Sequence, residues 1–209
     1  MSAADHTETL QESVQDAYEK GSALKIIGGN TKAFYGNPSV GEPLELGPHR
    51  GVVNYEPTEL VITARAGTEL ADIEQQLAAE GQALAFEPPH FGGGGTVGGA
   101  VAAGLSGPAR PYQGSVRDMV LGMRLINGRG EVMHFGGEVM KNVAGYDVSR
   151  LNAGALGTLG VILEVSLKVL PAPRQSATLV FGAAMRDCHS LSEQWLRDGR
   201  PLTAMLHDG

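Results

Sequence analysis

Glycine constrains this chain more than any other feature. Of its 30 glycines, eighteen fall between Gly92 and Gly160, and the overall share is about twice the usual ~7%. Glycine weakens both helix and strand interiors. A run such as Gly92-Gly93-Gly94-Gly95, followed by Gly98 and Gly99, therefore marks backbone that must turn sharply or come very close to something. The excess is local, so it points to a site or a set of tight turns and not to disorder. The remaining composition is globular, with 42% apolar and 19% charged residues. A chain of 209 residues suffices for one large domain or two small ones with a core of their own.

Charge and cysteine content remove several function classes. The net charge is −7 with no basic tract, which argues against nucleic acid or an anionic membrane surface as a partner. Any anion bound here must be held by local backbone N–H groups against the overall field. The single cysteine, Cys188, excludes an intrachain disulfide and a multi-cysteine metal cluster. The histidines lack paired metal-ligand spacing, so no metal site is expected. No G-x-S-x-G occurs, and nucleophilic catalysis has no support. The start, MSAADHTETL, has neither the basic nor the apolar region of a signal peptide. No apolar run reaches membrane-spanning length, and a cytoplasmic location is expected.

Periodicity gives a coarse map. Leu10, Val14, Ala17 and Tyr18 form a helical stripe over 8–20 that Gly21 stops. Residues 24–27 read as a strand entering a turn-rich loop, and 51–57 and 60–67 as two further strands. Thr68 is placed to cap a helix carrying Leu70, Ile73 and Leu77 and ending at Gly81. A short strand at 83–86 ends at Pro88-Pro89, and a short helix is expected over 97–104. Asn127-Gly128 between two apolar runs predicts a hairpin over 119–136. Residues 137–160 read as loop and short helix, 161–171 as a strand, and 177–182 as a further strand candidate. A helix is predicted over 185–197, with Cys188, Leu191 and Trp195 on one face. The ending LHDG suggests a cut inside a larger fold.

The segment Gly93 to Gly98 satisfies G-x-G-x-x-G, with Asp118 further on. A dinucleotide fingerprint of the Rossmann type needs a strand directly before it and a full helix after it. Pro88, Pro89 and His90 break the approach, and the helix lasts only about two turns, so this reading is disfavoured. Two glycine loops, 28–36 and 92–99, can instead share one ligand, because successive glycine N–H groups can converge on phosphate oxygens. A helix starting near Val97 would add its positive end, Lys32 a charge, and Thr31 and Thr96 hydroxyls. The rival reading, plain tight turns, weakens when NAGALGTLG at 152–160 supplies a third such segment. No Gly-Lys-Ser/Thr phosphate loop is present. Arg117 and Asp118 suggest a loop-fixing ion pair. KNVAGYD at 141–147 is divided evenly between structural hydrogen bonding and cofactor contact. His90 reads as a solvated loop histidine more readily than as a ligand contact.

Three motifs in order, IIGGNTKAFYGNP, then FGGGGTVGGAVAAGLSGPARPYQGSVRD, then GGEVMKNVAGYDVSRLNAGALGTLGVI, resemble the FAD-binding domain of the vanillyl-alcohol oxidase/p-cresol methylhydroxylase (PCMH) type. Within that family the chain is similar to the FAD-binding E-type subunits of bacterial glycolate oxidases. The resemblance covers roughly residues 20–175. It implies an α+β fold of two subdomains, a small mixed α/β one and a larger mostly antiparallel sheet with helices, with FAD extended between them. The implied FAD-binding domain is 1–175, with a subdomain break near 88–115, and 176–209 begins a truncated C-terminal or cap region.

Carried over, Gly28, Gly29, Asn30, Thr31 and Lys32 form a first pyrophosphate loop, and Gly95, Thr96, Gly98 and Gly99 a second. Gly104, Ser106 and Gly107 follow the dinucleotide, Ser115 and Asp118 lie near the flavin, and Gly154, Gly157, Gly160, Val161 and Ile162 line the other wall. Many relatives attach FAD through a histidine in the first loop; here that loop reads Gly28-Gly29-Asn30-Thr31, so FAD is expected to be non-covalent. The implied activity is flavin-mediated oxidation of a 2-hydroxy acid, glycolate to glyoxylate, with electrons passing on. The implied partners are a companion flavin subunit and an iron–sulfur subunit, through which any membrane association would arise. No catalytic residue follows from the resemblance. The alternatives are a non-catalytic scaffold subunit that has lost FAD and a Rossmann-type NAD(P)-binding protein.

Overall fold

The computed structural model describes residues 4–137 and 147–208. Helix α1 (Thr7–Lys20) buries Leu10, Val14 and Ala17 along one stripe. Gly21, at φ 65°, ends it by returning the Gly21 and Ser22 N–H groups to the Tyr18 and Ala17 carbonyls at 3.2 and 2.9 Å. Tyr18 was expected in the stripe but is 59% exposed; the stripe is narrower than the pattern suggested and excludes the position after Ala17. Strand β1 (Leu24–Ile27) pairs in parallel with β2 (Glu42–Glu45), and the first glycine loop occupies the connection. Strands β3 (Val52–Glu56) and β4 (Val61–Arg65) follow as an antiparallel pair.

Helix α2 (Leu70–Ala79) buries Leu70, Ile73 and Leu77, as its spacing predicts. Its N-cap is Glu69 and not Thr68. The Thr68 hydroxyl instead donates to the Arg65 carbonyl at 2.7 Å and accepts the Gly51 N–H at 2.9 Å, while the Leu70 N–H donates to the Gly95 carbonyl at 2.8 Å. The turn thus takes the hydroxyl, and the second glycine loop satisfies the helix. Only β5 (Gln82–Ala83) of the strand expected at 83–86 forms a ladder. Leu84, Ala85 and Phe86 leave it to enter the core, where Phe86 is fully buried.

After the second glycine loop come α3 (Val97–Ala103), α4 (Arg110–Gln113) and α5 (Val116–Met119). The predicted hairpin is β6 (Val120–Ile126) and β7 (Val132–Gly136). Then follow α6 (Val148–Asn152), β8 (Val161–Lys168), β9 (Leu170–Pro171) and α7 (Met185–Arg197). The main sheet is five-stranded in the order β3-β4-β8-β6-β7, antiparallel throughout. It draws strands from both sides of residues 88–115. Strand β8 is central and buries all but Glu164 and Lys168. Glu164 meets Arg124 directly across the β6–β8 ladder at 3.2 Å. The buried Thr63 and Ser166 hydroxyls pair at 2.8 Å across β4–β8. Helix α3 lies on β4 and β8, and α6 on β6 and β7. This is the expected α+β architecture: a short parallel pair beside a larger antiparallel sheet with helices.

His49 fastens the N-terminal segment to the sheet. It is fully buried, its Nδ1 accepting the His6 N–H at 3.0 Å while Nε2 donates to the Leu163 carbonyl at 3.1 Å. No strand forms at 177–182, where Leu179, Val180 and Phe181 find no ladder partner and remain exposed. Helix α7 matches its predicted span but buries no residue. Cys188, Leu191 and Trp195 do share a face that is half-buried, and Trp195 meets Phe181 edge-on at 6.0 Å.

Candidate cofactor site

Three loops converge where β1 ends, where α3 begins and where β8 begins. Five non-glycine residues have positive φ among the described residues, and each loop carries one: Asn30 at 53°, Phe91 at 50° and Leu156 at 53°. Such backbone costs energy and persists only where its surroundings impose it, typically at ligand sites. The first two loops touch. A Cβ on Gly29 would collide with the Gly94 carbonyl, so glycine is required there by close approach. A Cβ on Gly28 would lie 2.6 Å from the Thr96 hydroxyl.

The amides divide into spent and available. Val97 N–H donates to Thr68 O at 2.9 Å, Gly98 N–H to Ala66 O at 2.9 Å, and Gly99 N–H to the Thr96 hydroxyl at 3.2 Å. These are the first amides of α3, a helix of seven residues. The expectation that its positive end would face an anion is therefore corrected: those groups stitch α3 to the sheet. By contrast, the N–H groups of Gly28, Gly29, Asn30, Thr31, Gly94, Gly95 and Thr96 have no protein acceptor among the described residues. Lys32 is half-buried beside them, its ammonium 5.8 Å from the centre of the Phe91 ring. Burial pushes its pKa down, and no carboxylate pairs with it among the described residues.

Behind the loops lies a narrow, half-open cleft of about 90 Å³. Gly28, Thr96, Gly98, Gly99, Gly157, Gly160 and Ile162, all expected from sequence, line it together. Ile26, Leu46, Ala66, Ala102 and Leu156 complete the lining. Sequence reasoning missed these because an apolar residue facing a cofactor looks like any core residue. A second, larger cavity of about 480 Å³ runs between α1 and the Asn127-Gly128 turn, sharing Ile26, Gly157 and Gly160 with the cleft; Val161 lines this second space.

The other expected residues sit beside the cleft and have defined partners. Gly104 caps α3 at φ 68° and packs against Gly154, whose N–H donates to Val101 O at 3.0 Å. The Ser106 hydroxyl accepts the Val116 N–H at 3.0 Å, and Gly107 N–H donates to Phe86 O at 2.9 Å. Ser115 offers both its N–H and its hydroxyl to the Asp118 carboxylate at 2.8 Å, and these bonds hold the Asp118 pKa below its usual value. Arg117 does not pair with Asp118; its guanidinium donates to the Ala153 carbonyl at 3.0 Å. His90 pairs with Glu74 at 3.1 Å. Of KNVAGYD, residues 141–146 lie outside the described residues, and Asp147 caps α6 by accepting the Arg150 N–H at 3.0 Å.

A family model, the FAD binding domain, matches residues 2–136. The chain belongs to this family. It is 50% identical over 203 residues to glycolate oxidase subunit GlcE of Escherichia coli, covering 97% of this chain and 58% of that protein. It is 35% identical over 129 residues to a D-lactate dehydrogenase of Anaerostipes hadrus, covering 62% and 27%. It is 29% identical over 163 residues to glycolate oxidase subunit GlcD of Bacillus subtilis, covering 77% and 33%. The chain thus spans between about a quarter and three-fifths of these relatives' lengths. A solved structure of alkyldihydroxyacetonephosphate synthase shares the fold, with TM-score 0.66 at 23% identity, over 82% of this chain and 31% of that one.

The residues present fit FAD, the family's cofactor. Amides and a lysine without an acceptor or carboxylate among the described residues suit a pyrophosphate, and the glycines lining the narrow cleft let backbone come close to a ligand there.

Proposed function

We propose that this chain is the FAD-binding part of a 2-hydroxy-acid oxidoreductase of the glycolate oxidase type, acting within a complex. The observation that carries the proposal is the 50% identity to GlcE across nearly the whole chain, which extends through all three loops. Bound FAD supplies an acceptor for the two electrons released when a 2-hydroxy acid such as glycolate becomes the 2-oxo acid.

The protein's contribution is to bind and orient. Gly28 to Thr31 and Gly94 to Thr96 would donate N–H bonds to the pyrophosphate, and Lys32 would offset its charge in a chain of net −7. Thr96, Gly98 and Gly99 floor the cleft, Gly157, Gly160 and Ile162 form its far wall, and Gly154 and Val161 flank it. Gly104, Ser106 and Gly107 carry the chain alongside the dinucleotide. Ser115 and Asp118 fix the segment beside the flavin through their mutual hydrogen bonds. The first loop, Gly28-Gly29-Asn30-Thr31, carries no histidine, so FAD is held non-covalently. Residues 1–175 form the FAD-binding unit, and 176–209, whose helix buries nothing here, begin the C-terminal region.

A GlcD-like flavin subunit and an iron–sulfur subunit are the partners we infer. Among the described residues no helix is long and apolar enough to cross a membrane, and any membrane contact comes through the complex. The test is to purify the chain alone and co-expressed with such partners, denature it in acid, and measure released FAD. Glycolate added anaerobically to the complex is expected to bleach the flavin spectrum. Absence of FAD from both preparations would sink the proposal.

A further inference from the structure

The two amide-bearing loops meet without a hydrogen bond. Among the described residues, none crosses from 28–36 to 91–96. Their backbones approach closely at Gly29 and Gly94, yet what joins them beyond that approach is a contact between side chains. Phe34 from the first loop and Phe91 from the second meet edge to face, centroids 5.0 Å apart at 77°. The Lys32 ammonium stands 5.8 Å from the Phe91 centroid. Both rings are substantially exposed, Phe34 at 68% and Phe91 at 50%, so core burial does not explain them. Phe91 also holds a positive φ of 50°, which a bulky side chain rarely adopts. Two exposed aromatics, one on strained backbone, thus link the two loops through their side chains.

We propose that Phe34, Phe91 and the Lys32 ammonium form a clasp that closes the two loops over the pyrophosphate and sets the rate at which FAD leaves. The proposal rests on the FAD reading above. The phenylalanines are positioning residues: they act by keeping the amides of Gly28–Thr31 and Gly94–Thr96 within reach of one ligand. Opening requires no hydrogen bond to break, only rotation of the side chains and separation of the loops. With the clasp open, each loop presents its own amides alone, and release is fast.

The test follows FAD release from the purified holoprotein, read as recovery of free-FAD fluorescence after dilution. Phe91→Leu, which removes both the aromatic pair and the cation–π contact, is expected to speed release about tenfold, and Phe34→Leu, which removes the aromatic pair alone, about fivefold. Their combination should be no faster than Phe91→Leu alone, because that change already removes the contact Phe34 makes. Phe91→Tyr keeps the ring and should release FAD at the wild-type rate. Thermal unfolding of the apoprotein should be nearly the same for all, which a general structural role would not give. Phe34 is mostly exposed, so Phe34→Leu remains informative even where Phe91→Leu fails to fold. Release rates unchanged in Phe34→Leu, or independent multiplicative effects in the double variant, would overturn the clasp. A wild-type protein that carries no FAD would overturn the cofactor reading itself, a result separable from either.

Discussion

Gly98→Ala adds a single methyl to the floor of the cleft. That carbon would lie 2.5 Å from Ala66 Cβ and 2.9 Å from both Ala66 Cα and Ala66 O. Carbon atoms rest about 3.5–4.0 Å apart, so α3 must draw back from the end of β4 by roughly 1 Å. The withdrawal stretches the 2.9 Å bond from Gly98 N–H to Ala66 O. Overpacking of this kind costs ~1–3 kcal/mol, and alanine's better helix propensity returns up to ~1 kcal/mol. A net loss of about 1–2 kcal/mol lowers Tm by roughly 2–8 °C for a chain of this size. FAD affinity should fall as well, because the same shift moves Thr96 and Gly99 on the cleft wall. Gly93→Ala is the control: no atom lies within 4 Å of its added carbon, and the change should stay within about 0.5 kcal/mol. Thermal unfolding of the apoprotein and fluorescence titration with FAD read the two effects separately. A Gly98→Ala protein that unfolds at or above the wild-type Tm would refute the packing argument. One that loses stability yet binds FAD unchanged would remove Gly98 from the cofactor floor.

Burial holds the His49 pKa down, and its Nδ1 is already occupied by the His6 N–H, so the folded protein keeps the ring neutral. The unfolded chain takes up that proton near pH ~6.5; the stabilisation is complete above this value and is lost as pH falls toward the depressed folded pKa. His49→Phe should be destabilised at neutral pH and show a shallower loss on acidification, measured by urea midpoints across that range. Asp118→Ala removes the acceptor of two Ser115 bonds and should cost ~1 kcal/mol. Because the folded Asp118 pKa is lowered, that contribution is present above the usual carboxylate pKa and disappears in acid, so wild type and variant should converge in acid unfolding. Lys32→Met keeps the apolar stem beside Phe91 and deletes the charge; FAD should bind about tenfold more weakly, with the difference shrinking as salt is raised in fluorescence titrations.

Much of the fold was legible in the sequence because local signals and packing agreed. The α1 stripe with Gly21 behind it, the α2 spacing of Leu70, Ile73 and Leu77, and the Asn127-Gly128 hairpin each depend on neighbours close in sequence. The expectations that failed depended on distant partners. Residues 177–182 have strand composition but pair with no strand among the described residues. Thr68 has the chemistry of a cap, yet Gly51 and Arg65 claim its hydroxyl, and the Gly95 carbonyl arrives from elsewhere to serve α2.

The site divides in the same way. Sequence alone pointed to the loops 28–36, 92–99 and 152–160 as sharing one ligand, because glycine clustering is visible without coordinates, and the fold brings Gly28, Thr96, Gly98, Gly99, Gly157 and Gly160 to one cleft. The tertiary structure decided which groups within it remain free. The amides of Val97, Gly98 and Gly99 are consumed by Thr68, Ala66 and Thr96, whereas those of Gly28–Thr31 and Gly94–Thr96 have no acceptor among the described residues. Only the fold, too, brought Leu46, Ala66 and Leu156 to the cleft and set Phe34 against Phe91. A hydrogen bond or an apolar contact is a property of a pair, and residues so far apart along the chain become pairs only once the sheet has closed.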